Sequence, residues 1–163
     1  MKALTVQQPW AWAIVHGGKT IENRTQAWKY RGPLAIHAGA RLSQRGCDVV
    51  PEILAETRGC QVGDYLGEEL TYGAIIGVAR LVDVHLAESA IDAEWGSSVI
   101  RSVVCCDSPW AEQSYIEHGG RGRRDVVHLV LEDPRPIDPI PCKGRLGLWT
   151  PDQDVLDQLR EEA

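Results

Sequence analysis

Ala3-Leu4-Thr5-Val6-Gln7-Gln8-Pro9-Trp10-Ala11-Trp12-Ala13-Ile14-Val15-His16-Gly17-Gly18-Lys19-Thr20-Ile21-Glu22-Asn23-Arg24 is the stretch on which the reading of this chain turns. Ala3 to Val6 predicts a short strand. Gln7-Gln8-Pro9 then opens a helix from Trp10 to His16, with proline near the first turn, where a missing N–H costs nothing. Gly17-Gly18 supplies a left-handed residue to end that helix, and Lys19 to Arg24 returns as a second strand. The result is a strand-helix-strand hook that delivers Lys19 at a turn and places Glu22 and Arg24, two apart on a strand, on one face.

Working outward, a basic connection (Trp28-Lys29-Tyr30-Arg31-Gly32) leads to an alternating strand, Leu34 to Ala38, and then a polar, proline-interrupted helix from Ser43 to Thr57. Gly73 to Leu86 and Val126 to Leu131 are the most β-rich stretches and require a sheet. Residues 87–124 are weakly periodic and are expected to form loops and short helices anchored by Trp95, Trp110 and Tyr115. Pro134, Pro136, Pro139 and Pro141 predict an extended crossing segment before Gly147-Leu148-Trp149 rejoins the sheet. Thr150-Pro151-Asp152-Gln153 reads as a capping box, with Thr150 as N-cap of a helix ending near Arg160. The expected fold class is α+β, a small mixed β-barrel with flanking helices: one domain over residues 1–150, with 151–163 as a helix packed on it.

The 163 residues suit one hydrophobic core, and 44% hydrophobic with 25% charged residues excludes disordered, collagenous and coiled-coil chains. The apolar runs, such as Ala74 to Ala79, fall far short of the ~20 residues a membrane span needs. With no signal-peptide pattern at the N-terminus, a cytoplasmic location is expected and a membrane partner is not. Five cysteines, odd in number and without C-x-x-C spacing, and five histidines without H-x-x-x-H grouping predict free thiols and no metal site. His37 and His128 fall in strands and read as core or barrel-lining histidines. Without a P-loop or G-x-G-x-x-G, no cofactor is expected.

The formal net charge of −6 is unevenly distributed. Residues 1–46 hold seven Lys or Arg against one acid, Glu22, and the remainder is strongly acidic. Such a chain repels long duplexes but can hold a short anionic ligand on one basic face, with Lys19, Arg24 and Arg31 at its centre. Arg121-Gly122-Arg123-Arg124 is a second basic cluster, read as an exposed loop.

Gly17-x-Lys19-x-x-Glu22-x-Arg24 is the densest motif. Its plainest reading is a surface ion pair beside a solvated lysine, worth under ~1 kcal/mol. Its functional reading gives Lys19 and Arg24 to phosphate, Glu22 to an exocyclic amine or ribose hydroxyl, Gln8 and Asn23 to base edges, and Trp10 or Trp28 to base stacking, with Arg31 extending the basic face. Trp10 and Trp12 cannot share a helix face, so one belongs to the core, as does Trp149.

Taken in order, Leu4-x-x-x-Gln8-Pro9-Trp10-Ala11, the Lys19-Glu22-Arg24 motif, Tyr30-Arg31-Gly32-Pro33-Leu34-x-Ile36-His37-Ala38, Trp110, His128 to Asp133 and Lys143-Gly144-x-x-Gly147-Leu148-Trp149 resemble the ASCH (activating-signal-cointegrator homology) domain. The resemblance covers residues 3–149. It implies a PUA-like β-barrel, related to modified-base readers of the YTH and EVE types, with single-stranded RNA or a modified nucleotide in a cleft between barrel and first helix. It also implies a second class of function. Acetylcytidine amidohydrolases of similar type use a Lys and a Thr separated by two residues; here Lys19 matches, but Glu22 stands in place of the Thr, which removes the nucleophile. A carboxylate there is expected to keep the Lys19 amine protonated. Other members are linked to metal-independent ribonuclease activity, for which Lys19, Glu22 and Tyr30 would be the catalytic candidates, Tyr30 as proton donor.

Overall fold

The computed structural model describes residues 1–59, 70–93, 100–113 and 125–162. The expected Trp95 and Tyr115 anchors and the Arg121 to Arg124 cluster lie outside the described residues. The elements in chain order are β1 (Lys2–Gln8), α1 (Trp10–Val15), β2 (Ile21–Arg24), β3 (Gly32–Leu42), α2 (Gln44–Arg58), β4 (Ala74–Leu86), β5 (Ser89–Ala93), β6 (Ile100–Val104), β7 (Val127–Pro141), β8 (Leu148–Trp149) and α3 (Gln153–Glu161).

Six strands form one mixed sheet in the order β2-β7-β4-β3-β1-β8. Among these strands only β1 and β3 run parallel; every other pairing is antiparallel. The sheet curls into a half-barrel, the α+β architecture anticipated. Its two faces are filled by alternate residues of the same strands. Leu34 and Ile36 face a core shared with Leu4, Leu81, Leu129 and the α1 residues Ala11, Ile14 and Val15. Ala35 faces the opposite way, into a core closed by Val155 and Leu159 of α3 and by Trp149. A third cluster joins Trp12 of α1, Val50 and Leu54 of α2, and Trp110.

The hook from β1 through α1 to β2 is as expected, and its glycines explain its tightness. A Cβ on Gly17 would lie 2.8 Å from the Ala13 Cα, and Gly18 adopts φ +72°. The Lys19 amide donates to the Ala13 carbonyl at 2.9 Å, which closes α1 and starts the chain toward β2.

Three expectations are corrected. The proline segment is not a crossing connection but the second half of β7, with Pro136 opposite Gly77 and Pro141 opposite Ala74. Proline is tolerated there because β2 covers β7 only as far as Val130. The rest is an edge whose ladder with β4 is interrupted by register shifts, and Asp133 takes φ 49° at one of them. Residues 87–124 contain a two-stranded hairpin, β5 with β6, where loops and short helices were expected; Ile91, Ile100, Val103 and Val104 suit a ladder. Thr150 does not cap α3. Its hydroxyl accepts from Lys2 Nζ at 2.7 Å, and Asp152 occupies the N-cap, so the helix starts two residues after the expected position. Among the described residues no helix is long and apolar enough to cross a membrane.

Candidate functional site

A cleft of about 670 Å³ opens between α1, β2, the N-terminus of α2 and the loop before β8. Lys19 forms its floor. Only 2% exposed, its Nζ donates to the Ile21 carbonyl, lies 3.3 Å from Glu22 Oε2, and sits 5.4 Å and 5.7 Å from the ring centres of Trp10 and Trp110. The solvated lysine of the plain reading is therefore excluded. Burial pushes the amine's pKa below the usual lysine value, outweighing the opposing pull of Glu22. Glu22 pairs with the amine as expected and favours its charged form, while burial acts in the opposite direction.

Glu22 divides its charge. Its second oxygen accepts from Arg24 Nη2 at 2.9 Å, and that nitrogen also donates to the Thr5 carbonyl at 2.9 Å, tying the β2 edge to β1 across the mouth of the half-barrel. Arg24 Nε is buried and has no partner among the described residues. Trp10 shows part of its ring to the cleft and donates its indole N–H to Ser43 Oγ at 3.1 Å. Ser43 also accepts from the Gly46 amide and so caps α2. The positive end of a fifteen-residue helix thus faces the same space.

Among the expected residues, Trp10, Lys19, Glu22, Asn23 and Arg24 line the cleft. Asn23, however, is engaged with the main chain: its amide donates to the Trp110 carbonyl at 2.8 Å and accepts from the Glu112 amide at 3.1 Å. It holds the opposite wall instead of presenting a base-reading edge. Gln8 is buried beneath α1, where its Oε1 accepts from the Trp12 amide at 2.9 Å and its Nε2 donates to the Thr71 carbonyl at 2.8 Å. Trp28, Tyr30 and Arg31 do not reach the cleft. Trp28 and Tyr30 pack on the main core, and the Tyr30 hydroxyl donates to the Pro33 carbonyl at 2.6 Å. Arg31 bonds the Trp28, Tyr30 and Val84 carbonyls and pairs with Asp83 at 3.4 Å, so it clamps the β3 entry to β4.

In its place the structure supplies Arg41, Arg45 and Arg145. Arg45 pairs with Glu112 at 2.6 Å and lies 5.6 Å over the Trp10 ring. Arg145 pairs with Asp152 at 2.8 Å, and Arg41 is exposed, with no ion pair among the described residues. Arg41 and Arg45 belong to the basic N-terminal stretch, so the charge asymmetry held their signal; Arg145, from the acidic remainder, had none. Five cationic side chains and two carboxylates line a cleft in a chain of net charge −6.

A second cluster lies behind the Glu112 wall. Spacing predicted no metal site, yet His85, Cys105, Cys106 and His128 bring one ligand atom each within 4.8 Å of the others. They come from β4, from the bend after β6 and from β7, a convergence that spacing cannot show.

The ASCH domain family model matches residues 4–121. No curated protein matches the sequence significantly. Among solved structures, the ASCH protein of Zymomonas mobilis aligns with a TM-score of 0.56 at 15% identity, over 99% of this chain and 95% of that one. A tyrosine-to-phenylalanine variant of it aligns at 0.55 and 16%, over 99% and 98%. Identities this low establish the fold alone. With the family match spanning most of the sequence and the fold agreeing across it, the chain belongs to the ASCH domain family.

Proposed function

We propose that this chain is a nucleic-acid-binding module that holds single-stranded RNA, or a modified nucleotide, in the Lys19 cleft. The observation that carries the reading is the lining itself, five cations against two carboxylates in a chain that is acidic as a whole. Arg24, Arg41 and Arg45, with the capped end of α2, form a phosphate-binding rim. Trp10 offers a stacking face once a base displaces Arg45 from it. Glu22 and Glu112 accept hydrogen bonds from exocyclic amines or hydroxyls. At about 670 Å³ the cleft has the size of a small-molecule site and takes roughly one nucleotide, with flanking phosphates on the rim. A duplex groove does not fit such a concavity.

The direct test is mass spectrometry of nucleosides and oligonucleotides that co-purify with the native protein. Recovery of RNA fragments or of one modified nucleoside, lost on Arg24→Ala, is expected; a protein free of nucleic acid in both forms argues for an interaction scaffold.

A hydrolase reading is favoured by one observation, the Lys19 amine buried at the floor of the cleft, where a lysine can serve as base or nucleophile. Against it, Glu22 replaces the hydroxyl partner and the Tyr30 hydroxyl is bound to Pro33 outside the cleft. Incubation with acetylcytidine and with mixed-sequence RNA, using Lys19→Ala as control, separates the two. Turnover that Lys19→Ala abolishes would make the cleft an active site.

A further inference from the structure

We propose that His85 Nε2, Cys105 Sγ, Cys106 Sγ and His128 Nδ1 bind one zinc ion in a closed tetrahedral site, and that this ion pins the segment forming the far wall of the cleft. Two imidazoles and two thiolates are a donor set that selects zinc, and the thiolate charges cancel that of the ion.

The geometry is already close to that of a filled site. Zn–S bonds of about 2.3 Å and Zn–N bonds of about 2.0–2.1 Å give tetrahedral edges of about 3.3–3.8 Å. Two edges have nearly these lengths: His85 Nε2 to Cys106 Sγ at 3.2 Å and His128 Nδ1 to Cys105 Sγ at 3.4 Å. All the donor atoms lie within 4.8 Å of one another, so contraction by about an ångström seats the ion. Adjacent residues in a regular strand would point to opposite faces. Cys105 stands at the bend that ends β6, where two neighbouring thiols can turn toward one point.

The imidazoles are oriented from behind, as zinc-bound histidines are. His85 Nδ1 donates to the Asp83 carboxylate at 2.6 Å, and His128 Nε2 donates to the Glu112 carbonyl at 2.8 Å. A carbonyl and an ionised carboxylate can only accept, so these partners fix both tautomers and leave the lone pairs of His85 Nε2 and His128 Nδ1 facing the sulfurs. The rings stand at 83° to each other, 5.4 Å between centres, held by the direct pairing of β4 with β7 at these two positions. The Glu88 amide points at Cys105 Sγ at 3.4 Å, a donor suited to a thiolate.

All four positions would be filled by protein, which leaves none for substrate and makes the ion structural. Its effect reaches the cleft through Glu112, whose carbonyl holds His128, whose amide is held by Asn23 and whose carboxylate pairs with Arg45.

The test uses the full chain, purified under reductant from zinc-supplemented cells, with metal content measured by plasma mass spectrometry. One zinc per chain is expected. After removal of metal with a chelator, titration with Co²⁺ should give the d–d and thiolate-to-cobalt bands of a tetrahedral site, saturating at one equivalent. Cys105→Ser with Cys106→Ser should abolish both readings, and Asp83→Asn, outside the donor set, should weaken affinity about 10–100-fold. The proposal is overturned by a reduced wild-type chain that holds no zinc and gives no cobalt bands, by metal that the double variant retains, or by a Cys105–Cys106 disulfide in metal-free protein isolated from cells with thiols trapped. None of these readings depends on RNA binding, so the two proposals stand or fall separately.

Discussion

Lys19, Glu22 and Arg24 meet within six residues of chain, whereas His85, Cys105, Cys106 and His128 meet from three separate elements, and the two clusters share a wall formed by residues 110–112. The first is a charged group buried at the floor of a cleft and completed by a local turn. The second exists only because β4 and β7 pair in one register and the bend after β6 arrives beside them. The contrast shows what makes a site visible in one sequence. Contiguity writes the first into a short motif, while the second depends on strand pairing that no spacing encodes.

The largest effect is expected at Glu22. Removing it leaves Lys19 buried without its carboxylate and Arg24 with only a carbonyl partner, so Glu22→Ala should destabilise the fold by about 3–5 kcal/mol in urea denaturation. A loss under about 1 kcal/mol would mean that the triad carries little of the hook's stability.

The second cluster should respond to metal instead. With zinc at about 100 times its dissociation constant the native state gains about 2.7 kcal/mol, so a chelator should lower Tm by roughly 5–10 °C. The Cys105→Ser, Cys106→Ser double variant should show no shift, and an equal shift in both forms would place the metal elsewhere.

Much of the fold was legible. The hook, β3, α2 and the opposition of Trp10 to Trp12 follow from glycine and proline placement and from periodicity, and the structure has them. The Pro134 to Pro141 run misled because proline reads as a breaker unless the strand is known to be an edge. Site legibility divides in the same way. Lys19, Glu22 and Arg24 were legible as one group lining one cleft because they are neighbours in sequence. Arg31 was misplaced because a basic connection looks the same whether its guanidinium faces the cleft or clamps Asp83 and Val84. Arg145 enters the cleft only because the loop before β8 folds over it, next to Gly147 at φ +69°.

pH sharpens the first cluster further. The unfolded chain holds the Lys19 proton up to 10.5 and the native state releases it lower. Between the depressed native pKa and 10.5 the unfolded state therefore binds more protons, and this group makes stability rise with pH. Below that window its contribution is absent. Urea midpoints on the alkaline side should show that rise in the wild type and a flatter profile in Lys19→Met; identical profiles would mean the amine titrates normally in the fold. The smallest effect is expected at Arg31→Ala: its pair with Asp83 and its bonds to the Trp28, Tyr30 and Val84 carbonyls are all solvent-exposed, so stability should fall by about 1 kcal/mol and RNA affinity stay untouched.

Binding of single-stranded RNA by the cationic rim is measured by fluorescence anisotropy with a labelled mixed-sequence oligoribonucleotide across a salt series. Arg24→Ala and Arg41→Ala should each weaken binding and reduce the slope of log K against log salt by about 0.7, the value for one fewer phosphate neutralised on a single strand. Unchanged affinity and slope in both variants, or binding by the wild type that salt does not weaken, would mean that the rim does not hold RNA phosphates.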